Sequence, residues 1–144
     1  LKMLVSRSTH DGLLQRVCRG IYLYERASKP DGRILHRTAI RLRAGTFCYI
    51  SLESVLSDAG VISQVPLQWL TIMGGGRTAT IDCGRWGTIE FIHTAKSPQQ
   101  LATRLLYDDR YGMWRAPVGL AIQDMKACKR PLDLVDWSMF DEPV

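Results

Sequence analysis

Gly12-Leu13-Leu14-Gln15-Arg16-Val17-Cys18-Arg19-Gly20-Ile21-Tyr22-Leu23-Tyr24 is the stretch whose reading decides the fold of this chain. Leu13, Gln15, Val17 and Arg19 alternate with Leu14, Arg16 and Cys18, the period of two that extended backbone imposes on its side chains. Arg19-Gly20 breaks the alternation, and Ile21–Tyr24 resumes it with residues that favour strands. A two-residue break containing Gly predicts a tight hairpin, because such turns need backbone at positive φ. Upstream, Leu1, Leu4 and Val5 fall at i, i+3 and i+4, the end of an amphipathic helix that His10-Asp11-Gly12 stops. The segment reads as a helix followed by a small, Arg-rich, two-stranded wing.

Working outward, residues 27–32 (ASKPDG) carry turn chemistry and read as a linker. A helix is expected over Arg33–Arg43, with Leu35, Ala39 and Leu42 inward, Arg33, Arg37 and Arg41 in a basic i, i+4, i+8 stripe, and Gly45 as its stop. Phe47–Ile50 reads as a strand. Ser51 is expected to cap a helix over Leu52–Ala59. Leu67–Met73, Thr78–Cys83 and Thr88–Thr94 read as an antiparallel meander, with Gly74–Gly76 as a loop. Ser97-Pro98-Gln99-Gln100 is a helix start with Ser at the cap and Pro at the first position, and the helix is expected to reach Asp108. A strand over Met113–Ala116, a helix from Pro117 to about Lys129 and one further turn over Leu132–Trp137 complete the pattern. The expected class is α+β. Trp69, Ile81, Ile89, Phe91, Leu105 and Ile122 are the expected core.

With 46% apolar and 23% charged residues among 144, the chain can build a core, and disorder is not its main state. No run of 18 apolar residues and no signal-peptide pattern occurs, so the expected location is the cytoplasm, away from any membrane. The chain opens on Leu1 rather than Met, which points to a missing upstream piece. Cys18, Cys48, Cys83 and Cys128 form no CxxC pair, and His10, His36 and His93 are widely spaced. The reading is therefore four reduced thiols, no metal site and no cofactor.

Catalytic signals are weak. Gly74–Gly76 with Arg77 lacks the Lys-Ser/Thr and the helix of a phosphate loop, and no GxSxG elbow is present. Asp82 and Glu90, on neighbouring expected strands, are the sole carboxylate pair that suggests a metal-dependent nuclease, and surface placement is the simpler reading. The chain reads as a non-enzyme.

Charge is uneven. Residues 1–44 hold ten Lys/Arg against Asp11, Glu25 and Asp31, whereas residues 45–144 hold nine against eleven Asp/Glu. A basic front on a near-neutral body suits a polyanion, with a merely solvated basic face as the rival reading. Guanidinium groups bind phosphates and read guanine edges, and a wing sets them along the backbone or minor groove. The candidate DNA-binding residues are Arg7, Arg16, Arg19, Tyr22, Arg33, Arg37 and Arg41.

The wing motif Gly12–Tyr22 resembles that of AbiEi-type antitoxins, roughly Gly-x-Leu-x-Arg-Val-x-Arg-Gly-Val-Tyr. Tyr49-Ile50-Ser51-Leu52-Glu53-Ser54-Val55-Leu56 is similar to that family's Tyr-Ile-Ser-x-Glu-Ser-Ala-Leu. Val65-Pro66 with the strand after it, Gly87–His93 (Gly-x-x-Glu-Phe-x-His) and Arg115–Asp124 (Arg-x-Ala-x-Pro-x-x-Ala-x-x-Asp) follow in the family's order. Gly119-Leu120 departs from the charged pair usual in the last motif. The resemblance covers roughly residues 12–124. It implies the remnant of a winged helix-turn-helix over 1–26, a linker over 27–32 and an α+β antitoxin domain over 33–144. It further implies an autorepressor that binds an inverted repeat in operator DNA and counters a nucleotidyltransferase-like toxin of a type IV toxin–antitoxin, or abortive-infection, operon. A stand-alone winged-helix regulator is the main alternative.

Overall fold

The computed structural model describes residues 14–24, 32–62 and 68–139. The expected helix over 1–9, nearly all of the linker and the acidic tail at Asp141 and Glu142 lie outside them. The described residues form an α+β fold with eight strands and four helices. The strands are β1 (Leu14–Cys18), β2 (Ile21–Tyr24), β3 (Cys48–Ile50), β4 (Trp69–Gly74), β5 (Ala79–Asp82), β6 (Thr88–His93), β7 (Leu106–Asp108) and β8 (Met113–Arg115). The helices are α1 (Ile34–Leu42), α2 (Glu53–Asp58), α3 (Pro98–Leu101) and α4 (Val118–Ala127), with 3-10 turns at Gly84–Trp86 and Trp137–Met139.

β1 and β2 make the hairpin expected from the sequence. The other six strands form one mixed sheet in the order β5-β6-β4-β3-β8-β7. The expected antiparallel meander does not form. β5 and β6 are antiparallel, but β4 runs parallel beside β6 and β5 is displaced to the edge. The loop after β4 therefore passes the end of β6, where Thr78 Oγ1 accepts from His93 N at 3.0 Å and Gly74 O accepts from Thr94 N at 2.9 Å. Gly74 is the buried end of β4 rather than loop, and a Cβ there would stand 2.5 Å from Phe47 O.

Helices cover both faces. Tyr49, Met73 and Ile92 are register partners across β3, β4 and β6, so they share a face, and Phe91 points to the other. α4 lies on the first face, where its Asp124 meets Tyr49. α1 lies on the second, where Arg43 at its C-terminus stacks 4.2 Å above the Phe91 ring.

The buried carboxylate of Asp124, 1% exposed, ties these elements together. It accepts hydrogen bonds from Tyr49 Oη at 2.9 Å and Ser51 Oγ at 2.7 Å, and Lys96 Nζ lies 3.4 Å away. Burial, then the charge and hydrogen bond of Asp124, hold the Tyr49 phenol well above its ordinary pKa, so it stays a donor. Ser51 is thus not the helix cap expected of it. Leu52 takes the cap position at φ 61° without a side-chain cap, while the hydroxyl of Ser51 is spent on Asp124. Thr71 completes the corner by donating to Ser51 O at 2.5 Å and accepting from Ser54 N at 3.0 Å.

The capping box at Ser97 and Gln100 is present, but the helix ends at Leu101. Leu106–Asp108 instead pairs with β8, because a cross-strand partner outweighs weak helical propensity. Trp69 opens β4 at 37% exposure, and Leu70 and Ile72 take the core positions. Ile89, Phe91, Leu105 and Ile122 are buried as expected, and Ile81 is partly so.

Replacing Asp124 with Ala should cost about 3–5 kcal/mol in urea unfolding, because two buried donors lose their acceptor and Lys96 loses its partner. A loss below about 1 kcal/mol would show that the network does not organise the fold.

The ring of His36 stacks on Tyr111 at 3.6 Å and 9°, with its Nδ1 buried and unpartnered. Burial lowers its pKa from 6.5 to about 4, against the pull of Asp58. Between those values the unfolded chain takes a proton that the folded chain refuses. Stability from this site is therefore complete above about pH 6.5 and declines as the pH falls toward 4. His36→Phe should flatten that part of the stability–pH curve, measured by urea midpoints against the unsubstituted protein.

Candidate nucleic-acid interface

In the hairpin, Arg16 and Tyr22 are register partners and so project from one side, with Tyr24 next along the same face. Arg16 is exposed, as are Tyr22 at 38% and Tyr24 at 44%. A register shift between Arg16 and Cys18 marks a bulge, which lets the consecutive Val17 and Cys18 both turn inward. They join the same hydrophobic cluster as the sheet. Arg19 is exposed in the turn, beside Gly20 at φ +82°.

α1 buries Ile34, Leu35, Thr38 and Ala39, which leaves Arg37 and Arg41 exposed on the opposite stripe. Arg33 sits at the N-cap position. Between hairpin and helix runs a shallow groove of about 180 Å³. Tyr22 and Tyr24 line one wall, Arg37 and Arg41 the other, and Val17, Ile21 and Ile34 help form the rest. β1, β2 and α1 contain no acidic residue. The structure thus brings Tyr22, Arg37 and Arg41 to one groove and places Arg16 and Arg19 on the hairpin that forms its wall. Arg7 lies outside the described residues.

One neighbour escaped sequence reasoning. The guanidinium of Arg85 contacts the side chain of Gln15 and stacks on Trp86 at 4.5 Å, adding an exposed cation beside β1. No local pattern links residues so far apart.

The carboxylate pair has a structural use. Glu90 is bound by Arg130, which also pairs with Glu53 at 3.1 Å, and Asp82 Oδ1 accepts from Gly84 N at 2.8 Å. Among the described residues no three His, Cys, Asp or Glu side chains gather as metal ligands, and no helix is long and apolar enough to cross a membrane. No protein-family model, curated protein or solved structure matches this chain.

The turn itself generates a test. A Cβ at Gly20 meets nothing within 4 Å, so the whole cost of Gly20→Ala comes from its positive φ. That variant should lose about 1–2 kcal/mol of hairpin stability, read from amide exchange of β1 and β2. Unaltered protection would place the turn in another conformation.

Proposed function

We propose that this chain is a DNA-binding autorepressor and antitoxin of the AbiEi type. In this reading the β1–β2 hairpin is the wing of a winged helix-turn-helix, and the partners are an inverted repeat in its own operator and a nucleotidyltransferase-like toxin. The observation that carries the DNA-binding half is the convergence of exposed Arg and Tyr side chains from the hairpin and α1 on one groove. Such a surface neutralises phosphates, and each neutralised phosphate releases counterions. Tyr rings in the same groove suit sugar and base edges. The antitoxin half rests on the ordered motifs from Tyr49 to Asp124. Asp124 and Ser51 belong to two of these motifs, and their side chains meet in the core.

The test separates the two halves by point variants rather than truncation. Val17 and Cys18 belong to the common core, so removing the hairpin would expose apolar surface. Arg16→Ala with Arg19→Ala should weaken binding to the upstream repeat by about 1–3 kcal/mol and flatten its salt dependence by about two phosphate contacts. In cells carrying the toxin the same double variant should lose promoter repression and keep growth rescue. Unchanged affinity and salt slope would sink the DNA interface, and loss of rescue together with repression would tie antitoxicity to DNA binding.

A further inference from the structure

The six-stranded sheet has two edges, and they are finished differently. β5 exposes Thr80 and Asp82, and the turn after it carries the Arg85 contact to the hairpin. β7, at the other edge, exposes Leu106 at 59% and Tyr107 at 53%, and Trp114 beside it on β8 is 44% exposed. Tyr107 and Trp114 are register partners whose rings meet at 5.2 Å and 58°, on the face that carries Tyr49. Leu106 is next to Tyr107 in the strand and so points to the opposite face. An open trough of about 610 Å³ runs beside them, with Ala59, Pro117 and Val118 in its wall. Apolar side chains thus stand uncovered on both faces of one edge strand, where charged residues would ordinarily discourage pairing. A body docked on one face would leave the other wet. A strand added along the edge covers both and pairs the outward N–H and C=O groups.

The two ends of β7 carry opposite charges. Arg104, two residues before the strand, donates to Gln123 Oε1 of α4 at 2.9 Å and meets no carboxylate among the described residues. Asp109, directly after the strand, is exposed and makes no hydrogen bond or ion pair among them, whereas its neighbour Asp108 is held by Arg110 and Arg115.

We propose that β7 is a homodimer interface, in which it pairs antiparallel with β7 of a second copy about a two-fold axis and joins two sheets into one. The edge is self-complementary under that operation. Antiparallel pairing lays the start of one strand against the end of the other, so Arg104 of each copy comes to Asp109 of the other. The same rotation keeps the faces of the sheet distinct. It gathers both Tyr107–Trp114 pairs on one face and both Leu106 side chains on the other, and aromatic residues of this kind carry much of the energy of an interface. A basic peptide would satisfy Asp109 and leave Arg104 without a countercharge; a second copy satisfies both. The hairpin lies by the far edge, at β5, and the inference does not rest on what the hairpin binds.

The experiment is sedimentation velocity of the chain from about 1 μM to about 1 mM, which should show a reversible monomer–dimer equilibrium. Trp114→Ala should raise the dissociation constant at least about tenfold, because it empties the aromatic centre of the interface. Its ring is exposed in the monomer, so an unchanged thermal midpoint at low concentration confirms that the variant is folded. Arg104→Glu and Asp109→Arg should each weaken association, and the two together should restore it, because the exchanged charges meet again across the axis. Amide exchange of the segment 106–108 should slow as the dimer forms. A single monomeric species at about 1 mM would overturn the proposal. So would a dimer indifferent to Trp114→Ala, or one in which that segment exchanges as fast as in the monomer. Failure of the double charge exchange to recover association would overturn the antiparallel pairing of Arg104 with Asp109.

Discussion

A single buried carboxylate sets the geometry on which the rest of this molecule depends. Taking Asp124 out of water costs several kcal/mol, a cost that only well-placed donors offset. Tyr49 Oη and Ser51 Oγ supply two hydrogen bonds, and Lys96 supplies the countercharge from the partly exposed side. These donors come from β3, from the residue just after it and from the segment before α3. Satisfying one acid therefore fixes α4 against the centre of the sheet and also fixes the exit of β3. The backbone at Leu52, at φ 61°, is the strained consequence of that exit. Its fully buried side chain and the hydrogen bonds of Ser54 and Thr71 hold it in place.

The opposite face is organised by different chemistry. Arg43 stacks on Phe91 and donates to Arg77 O at 2.5 Å, so the end of α1 is held against β6 and the loop after β4. Beside α1, the hairpin docks through two adjacent side chains that a bulge turns inward together. The amphipathic logic of α1 does the rest. The residues that bury one stripe of the helix leave its arginines on the stripe facing the groove. A basic surface arises here because apolar positions dictate which side chains remain outside.

The same accounting explains why carboxylates that look chemical in the sequence are structural in the fold. Glu53 and Glu90 converge on Arg130, which follows α4. Asp108 is bound by Arg115, which also reaches Asp58. Each of these arginines joins segments distant in sequence, and partly buried pairs of this kind are screened less than exposed ones. The charges near the sheet therefore act as ties between elements, while exposed arginines gather on the hairpin and α1.

Elements whose cause is local were legible in the chain. The hairpin follows from alternation interrupted by Arg19-Gly20, α1 from its apolar stripe, the start of α3 from Ser97 and Pro98, and most core positions from strand periodicity. The basic stripe of Arg33, Arg37 and Arg41 was legible for the same reason, since helical spacing alone places it on one face. Contacts between distant segments set the rest. Ser51 has the chemistry of a helix cap, yet a buried acid far along the chain claims its hydroxyl. Leu106–Asp108 has the pattern of a helix end, yet β8 offers a ladder. Strand periodicity cannot say which strand lies next to which, so the parallel pairing of β4 with β6 and the placing of Arg85 beside Gln15 were invisible. Local spacing encodes which way a side chain faces, and only folding of the whole chain decides what it meets there.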